Sequence, residues 1–316
     1  MRAVRYHEYG GPEVLRVEEV DDPTPGEGEL LVRATATGVN YFEVQVRAGV
    51  TPDPLGLPLP HTPGIEVAGT VAAVGPGVET RRIGERVVGT VASGSYAELV
   101  RIPAAAAVPL DDRLGEHQAL ALLGQGATAV GLIEAAEIGP EDTVLVEAAG
   151  GGIGTLLIQL AKRAGARVVA GASGAAKRQL AADLGADATV DYTRPGWTEE
   201  AGPVSVVLET VGGQTAREAY SLLTKPRARM VVFGSASGVA VEISSEQLLP
   251  VGASLIPFSL GYRPQRWPEL ARRAEDLTVR GELTPVIGTV LPLTEAATAH
   301  RAFEDRTAIG KTILTP

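Results

Sequence analysis

The sequence predicts an α/β protein in two parts: a partly closed β-barrel, and a doubly wound parallel sheet with helices on both faces. Three observations lead there. The first third of the chain is a series of short alternating segments separated by Gly/Pro turns. The middle alternates apolar strands with helical segments, as parallel strands and their crossovers require. The chain is 316 residues long, more than one ordinary core serves and suited to two domains.

The elements follow in order. Residues 13–20 and 29–38 alternate apolar and polar positions, as half-buried strands do, with Pro23, Pro25, Gly26 and Gly28 turning the chain between them. Two further strands are expected over Val67–Val74 and Arg86–Val91, divided by Gly75-Pro76-Gly77. From about Gln118 the pattern changes. Thr143–Ala148 reads as a short buried strand and Ile153–Ala164 as a helix. A strand over Arg167–Ala172 and a helix over Ala175–Leu184, ended by Gly185, come next. Strands over Ala188–Asp191, Val204–Val211 and Met230–Gly234, with a helix over Gln214–Leu223, continue the alternation. Beyond it lie a helix over Trp267–Arg280, a strand over Val286–Leu291, a helix over Thr294–Glu304 and a strand over Lys311–Leu314.

Composition narrows the function classes. Hydrophobic residues make up 45% and charged residues 21%, a globular profile. A formal net charge of −10 repels a phosphate backbone, so nucleic acid is not an expected partner. No apolar run approaches the roughly 18–20 residues that cross a bilayer, so no membrane association is expected. The charged start Met1–Tyr6 has no signal-peptide character, and cysteine is absent, which makes the cytoplasm the expected location.

The sharpest local signal is Ala148-Ala149-Gly150-Gly151-Gly152-Ile153-Gly154, between a strand and a helix. A tight turn, a close backbone approach to a diphosphate and close helix–strand packing all need small residues there. Read as A-x-G-x-x-G, the fingerprint is Ala149, Gly151 and Gly154, with Gly152 and Ile153 opening the helix toward the anion. An NAD site places a carboxylate at the end of the second strand, about 20 residues on. Here that strand ends Gly171-Ala172-Ser173-Gly174, with Lys177 and Arg178 one helical turn later. Ser173 and Lys177 are therefore candidates for a 2′-phosphate, which selects NADPH.

With these residues in place the chain resembles the medium-chain dehydrogenase/reductase superfamily, and within it the zinc-independent quinone oxidoreductase branch. The markers run in family order over essentially the whole length: Gly38-Val39-Asn40-Tyr41, Pro63–Val71, Gly84-Glu85-Arg86-Val87, Gly94-Ser95-Tyr96-Ala97-Glu98, the cofactor turn with Gln159-Leu160-Ala161-Lys162, and Gly310-Lys311. The resemblance implies a GroES-like catalytic domain over 1–117 and 262–316 and a Rossmann NADPH-binding domain over 118–261. It also implies a homodimer formed through an edge strand, which residues 253–260 match.

Zinc-dependent relatives carry a cysteine where this chain has Asn40 and a histidine where it has Ile65. His7, His61, His117 and His300 show no ligand spacing, so no metal is expected. Without a metal, hydride addition to a quinone or an α,β-unsaturated carbonyl is the chemistry that fits, because the resulting anion is delocalised. By resemblance Asn40 lies beside nicotinamide and substrate and donates to the developing oxyanion, with Tyr41 and Tyr96 as candidates for shaping the pocket or delivering a proton. Thr128, Tyr192, Phe233, Gly234 and Lys311 match cofactor-contacting positions, and Glu209 and Thr210 follow the fourth strand of the second domain. Where the family has Asn-x-x-Asp and then a tyrosine, this chain has Glu43 and Gln45, which points to a different acceptor. Two alternatives stay open: an enoyl reductase acting on an acyl or polyketide-type intermediate, and a non-catalytic NADPH-binding protein.

Overall fold

The computed structural model describes residues 1–51, 56 and 58–316. The chain divides into two compact units, Met1–Leu123 with Ile287–Pro316, and Gly124–Val286.

The first unit holds β1 (Arg2–Arg5), β2 (Arg16–Glu19), β3 (Glu29–Val39), α1 (Tyr41–Arg47), β4 (Glu66–Val74), β5 (Arg86–Thr90), β6 (Leu99–Pro103), β7 (Ala107–Pro109) and α2 (Glu116–Ala121). β3 is its hub, pairing antiparallel with β4 and β6. Its apolar side chains Leu30, Val32 and Ala34 meet Val67, Val71, Val87 and Ile102 in the barrel core. The alternation over 13–20 yields only the short β2, because Pro12–Val14 forms a 3-10 turn ahead of it. β1, β6, β7 and α1 are further elements that alternation alone does not predict, being short or mixed in pattern.

The second unit holds α3 (Ala127–Ala135), β8 (Thr143–Val146), α4 (Gly152–Arg163), β9 (Arg167–Gly171), α5 (Ala175–Asp183), β10 (Ala188–Val190), α6 (Trp197–Ala201), β11 (Val206–Glu209), α7 (Gly213–Ser221), β12 (Arg229–Val232), α8 (Ser245–Val251), β13 (Ser254–Pro257) and α9 (Trp267–Val279). The six strands form one parallel sheet in the order β10-β9-β8-β11-β12-β13, so the winding reverses between β8 and β11. In such sheets ligands bind outside the carboxyl ends of the strands at that reversal.

The chain then returns to the first unit with β14 (Ile287–Pro292), α10 (Ala296–Glu304) and β15 (Lys311–Thr315), and β15 pairs antiparallel with β3. The return expected at 262 comes at 287 instead. The reason is α9: a Cβ on Gly131 of α3 would stand 3.2 Å from Leu270 of α9, and Glu134 of α3 pairs with Arg266 and Arg273. Likewise the expected boundary near 117 falls later, after α2, whose Glu116 accepts from Thr35 of β3 at 2.7 Å.

Candidate active site

In the second unit the turn between β8 and α4 is built from backbone. Ala148 sits at φ +46, a left-handed conformation that a non-glycine residue adopts at a cost. The Ala149 amide is held by the Gly171 carbonyl and the Gly151 amide by Ala148. Gly151 caps α4 with no side-chain acceptor, so the first helix amides, those of Gly152, Ile153 and Gly154, have no acceptor within the helix. This is the arrangement that receives an anion. Each neighbouring glycine has a steric reason. A Cβ at Gly154 would stand 2.4 Å from the Ala148 carbonyl oxygen, at Gly150 2.6 Å from Cγ of Lys177, and at Gly152 2.0 Å from Oε1 of Gln125.

The Lys177 stem therefore lies directly across the turn, and half-buried Ser173 sits between β9 and α5, the helix that carries Lys177. Arg178 is turned elsewhere, facing buried Asp191 at 3.7 Å. Asp191 also accepts from the Thr193 hydroxyl at 2.6 Å and faces Arg194 at 3.6 Å. These partners hold its carboxyl below the usual range against the opposing effect of burial. Asp191, the partner of Arg178, escapes sequence reasoning because it follows the third strand rather than the second.

Tyr192 closes over the end of β9, where a Cβ on Gly171 would meet its ring at 3.0 Å. Phe233 and Gly234 follow β12, and Gly234 must be small because Thr210 Oγ1 would lie 2.3 Å from a Cβ there. Thr128 is half-buried in α3, whose first turn follows a π-helical turn over Leu122–Gly126 rather than a loop. That turn carries Gln125 to α4, a contact without a sequence signature, and π-turns concentrate at functional sites.

In the first unit, β3 ends at Val39 and Asn40 opens α1 from an extended conformation. Glu43, three residues on, reaches back to accept the Asn40 amide at 2.9 Å, the spacing of a capping box. The side chain of Asn40 is oriented by two neighbours, Lys311 and Glu43. Lys311 Nζ donates to its Oδ1 at 2.9 Å, and its Nδ2 lies 3.5 Å from Glu43 Oε1. An ammonium has only protons to offer, so Oδ1 must face it, and the amide N–H groups point away.

Lys311 is fully buried and paired with Glu66 at 2.5 Å. Its ammonium is shared between Glu66 and Asn40. Gly38 makes room, since a Cβ there would stand 2.3 Å from Glu66 Oε2 and 2.7 Å from Cε of Lys311. Tyr96 is buried as well. It is 0% exposed, its hydroxyl donates to Glu43 Oε2 at 2.8 Å and lies 3.2 Å from His300 Nε2. Burial and the Glu43 carboxyl push the phenol well above its usual range. Tyr96 thus holds Glu43. Gly64, at φ +102, leaves space for the Tyr96 ring.

Burial pushes Glu43 up to about 7, opposed by the Asn40 amide, Tyr96 and Lys311. His300 is driven down to about 3 by burial and by Arg47, so it is neutral. Tyr41 is half-exposed, tilted against Phe303 with ring centroids 6.2 Å apart, and burial raises its hydroxyl.

A nucleotide-binding α/β unit paired with a barrel unit defines the class of protein. Residues 152–276 match the zinc-binding dehydrogenase family, and residues 26–112 match the alcohol dehydrogenase GroES-like domain. The 2-haloacrylate reductase of a Burkholderia species is 33% identical, spanning 98% of this chain and 97% of that protein. The quinone oxidoreductase of Salmonella typhimurium is 31% identical over 99% of each. The structure of Escherichia coli quinone oxidoreductase complexed with NADPH aligns with a TM-score of 0.90 and 30% identity over 100% of both chains. The chain belongs to the medium-chain dehydrogenase/reductase superfamily, in its quinone oxidoreductase branch.

Proposed function

We propose that this protein is an NADPH-dependent oxidoreductase that works without zinc and reduces a quinone or an α,β-unsaturated carbonyl compound. The orientation of Asn40 carries the reading. With Oδ1 engaged by Lys311 and one Nδ2 hydrogen directed at Glu43, the other Nδ2 hydrogen is a fixed donor suited to an oxygen that gains negative charge during reduction.

The residues fit the cofactor. The amides of Gly152, Ile153 and Gly154, with Gly151 and Ala149 shaping the turn, suit a diphosphate. Ser173 and Lys177 suit the 2′-phosphate and Tyr192 the adenosine end, leaving Thr128, Phe233 and Gly234 for the rest of the dinucleotide. NADPH, when bound, supplies the hydride. The chain's own residues orient it, and Asn40 stabilises the product anion, with Tyr41 bordering the acceptor. The complex of a quinone oxidoreductase with NADPH, alike over the full length, supports this assignment.

A zinc ion does not fit. Position 40 is Asn and position 65 is Ile, the chain has no cysteine, and the oxygens of Asn40 and Glu66 already accept from the Lys311 ammonium. No step is assigned to a metal. An acceptor that is conjugated needs none, because addition yields a delocalised anion. The reductase named for 2-haloacrylate, an unsaturated carboxylate, favours the conjugated class.

The edge strand β13, with Leu255 exposed, is proposed to pair with a second copy to form a homodimer, to be tested by light scattering after gel filtration. The catalytic reading is tested by following NADPH oxidation with quinones, alkenals, 2-haloacrylates and enoyl thioesters, in buffer freed of metals by chelation. Turnover of a conjugated acceptor is expected. Turnover confined to saturated alcohols or ketones and dependent on added zinc would overturn it.

A further inference from the structure

Two acidic side chains meet where the winding of the parallel sheet reverses. Glu147 follows the last residue of β8, and Glu209 is the last residue of β11, its neighbour in the sheet. Both are buried, 1% and 0% exposed. Glu147 Oε2 accepts the amides of Thr210 at 3.3 Å and Val211 at 3.2 Å, and Glu209 Oε1 accepts the amide of Gly212. The remaining oxygens, Glu147 Oε1 and Glu209 Oε2, are buried with no donor. Among the described residues the charged group bearing on Glu147 is Glu209, and the amides of residues 210–212 act on both carboxyls. Both carboxyls thus hold one short segment, residues 210–212, from neighbouring strand ends, and each keeps one orphaned oxygen.

Two carboxylate oxygens can share a hydrogen bond only if a proton lies between them. Two buried anions with no cation beside them are also strongly disfavoured. One proton placed between the two carboxyls satisfies both orphaned oxygens at once. We propose that Glu147 and Glu209 share one proton, and that this proton holds residues 210–212 in the shape that receives the cofactor.

The inference rests on the NADPH reading above. Burial first, and the facing carboxyl second, push Glu147 up, so the shared proton is retained at neutral pH and lost in alkali. Its loss would set two anions face to face and release the amides of residues 210–212. That segment supports the neighbouring one, since Thr210 and Val211 carbonyls accept from Ala236 and Ser237, each at 2.8 Å. It would also add negative charge beside an anionic cofactor. Glu147 and Glu209 are positioning residues; neither is placed against reacting atoms.

The test is NADPH affinity by calorimetry at about pH 6.5 and about pH 9.5, with melting of the cofactor-free protein over the same range. Glu147→Gln replaces the shared proton with a permanent N–H directed at Glu209, and Glu209→Gln is its mirror image should the first variant fold poorly. Wild-type affinity is expected to fall about tenfold or more over that range, while Glu147→Gln changes by less than about twofold. Equal wild-type affinity at both values, or variants that follow the wild-type decline, would overturn the proposal. A wild type that binds no NADPH at either value would instead overturn the cofactor reading. Proton sharing would then be judged by melting alone, supported if wild type loses stability in alkali and Glu147→Gln does not, and overturned if both behave alike.

Discussion

Nζ of Lys311 donates to Oδ1 of Asn40 at 2.9 Å, and the same ammonium pairs with Glu66 at 2.5 Å. A buried cation thereby sets the direction of an amide that stands at the start of α1. The ion pair is worth most through what it prevents, because removing one partner leaves the other charged and buried. Lys311→Met is expected to cost about 3–5 kcal/mol in a denaturant titration. Adding Glu66→Gln should recover much of that stability without restoring kcat, since Asn40 would still lack its fixed orientation. Full recovery of kcat in the double variant would separate Lys311 from the orientation of Asn40.

Asn40→Ala removes the proposed oxyanion donor. It is expected to lower kcat by about 10²-fold with the best conjugated acceptor, while the Kd for NADPH moves little. Steady-state kinetics with calorimetry separates the two quantities. A rise in KM at unchanged kcat would assign Asn40 to ground-state binding instead.

Lys177 lies across Gly150. Lys177→Ala is expected to weaken NADPH about tenfold or more and NADH by less than about twofold, the difference expected for one charge-assisted contact to a phosphate. Calorimetry with both nucleotides measures this directly, and equal losses would remove the 2′-phosphate assignment.

The glycine turn makes two separable predictions. Gly154→Ala puts a methyl group 2.4 Å from the Ala148 carbonyl oxygen, and it should destabilise the protein by about 1–3 kcal/mol through forced helix–strand separation. Gly151 has ordinary φ, and its nearest obstacle is the Ala148 carbonyl at 3.3 Å. Gly151→Val should therefore fold and yet bind no NADPH, because its branched side chain occupies the space of the diphosphate. Circular dichroism and calorimetry on both variants distinguish a folding effect from a binding one.

Glu43 supplies a pH dependence whose sign follows from its environment. Burial raises its folded value from the ordinary 4.5 to about 7, so the folded state prefers the protonated form. Its contribution to stability is fully present below the unfolded value and is lost as pH rises through the folded one. Tyr96 donates to the carboxylate and lowers the folded value, so Tyr96→Phe should move the titration of Glu43 upward. Carbon-13 NMR of the glutamate carboxyls in both proteins reads this shift. A Glu43 signal that titrates in the ordinary carboxylate range would refute it.

Much of the architecture was legible in the chain because it rests on local rules. The glycines at 150–154, the apolar run over Thr143–Val146 and the helical spacing of α4 each reflect the geometry of a few consecutive residues. Strands β3, β4 and β5 lie close to where alternation placed them. The short β6 and β7 escaped because their pairing partners, rather than their own pattern, stabilise them. The late return of the chain at 287 escaped because an amphipathic helix shows that it has a buried face, but not which neighbour covers it.

The sequence by itself determined the strand–helix alternation of the second unit, the nucleotide turn and the absence of cysteine, all written in residue types and short spacings. Only the tertiary structure decided what the charged side chains do. Lys311 meets Asn40 across 271 positions, Tyr96 meets His300 across 204, and Glu147 reaches the amide that follows Glu209 across 63. Burial turns each of these residues from a generic polar group into one with a defined partner. Burial is a property of the packed chain, set by which distant segments exclude water from the same place.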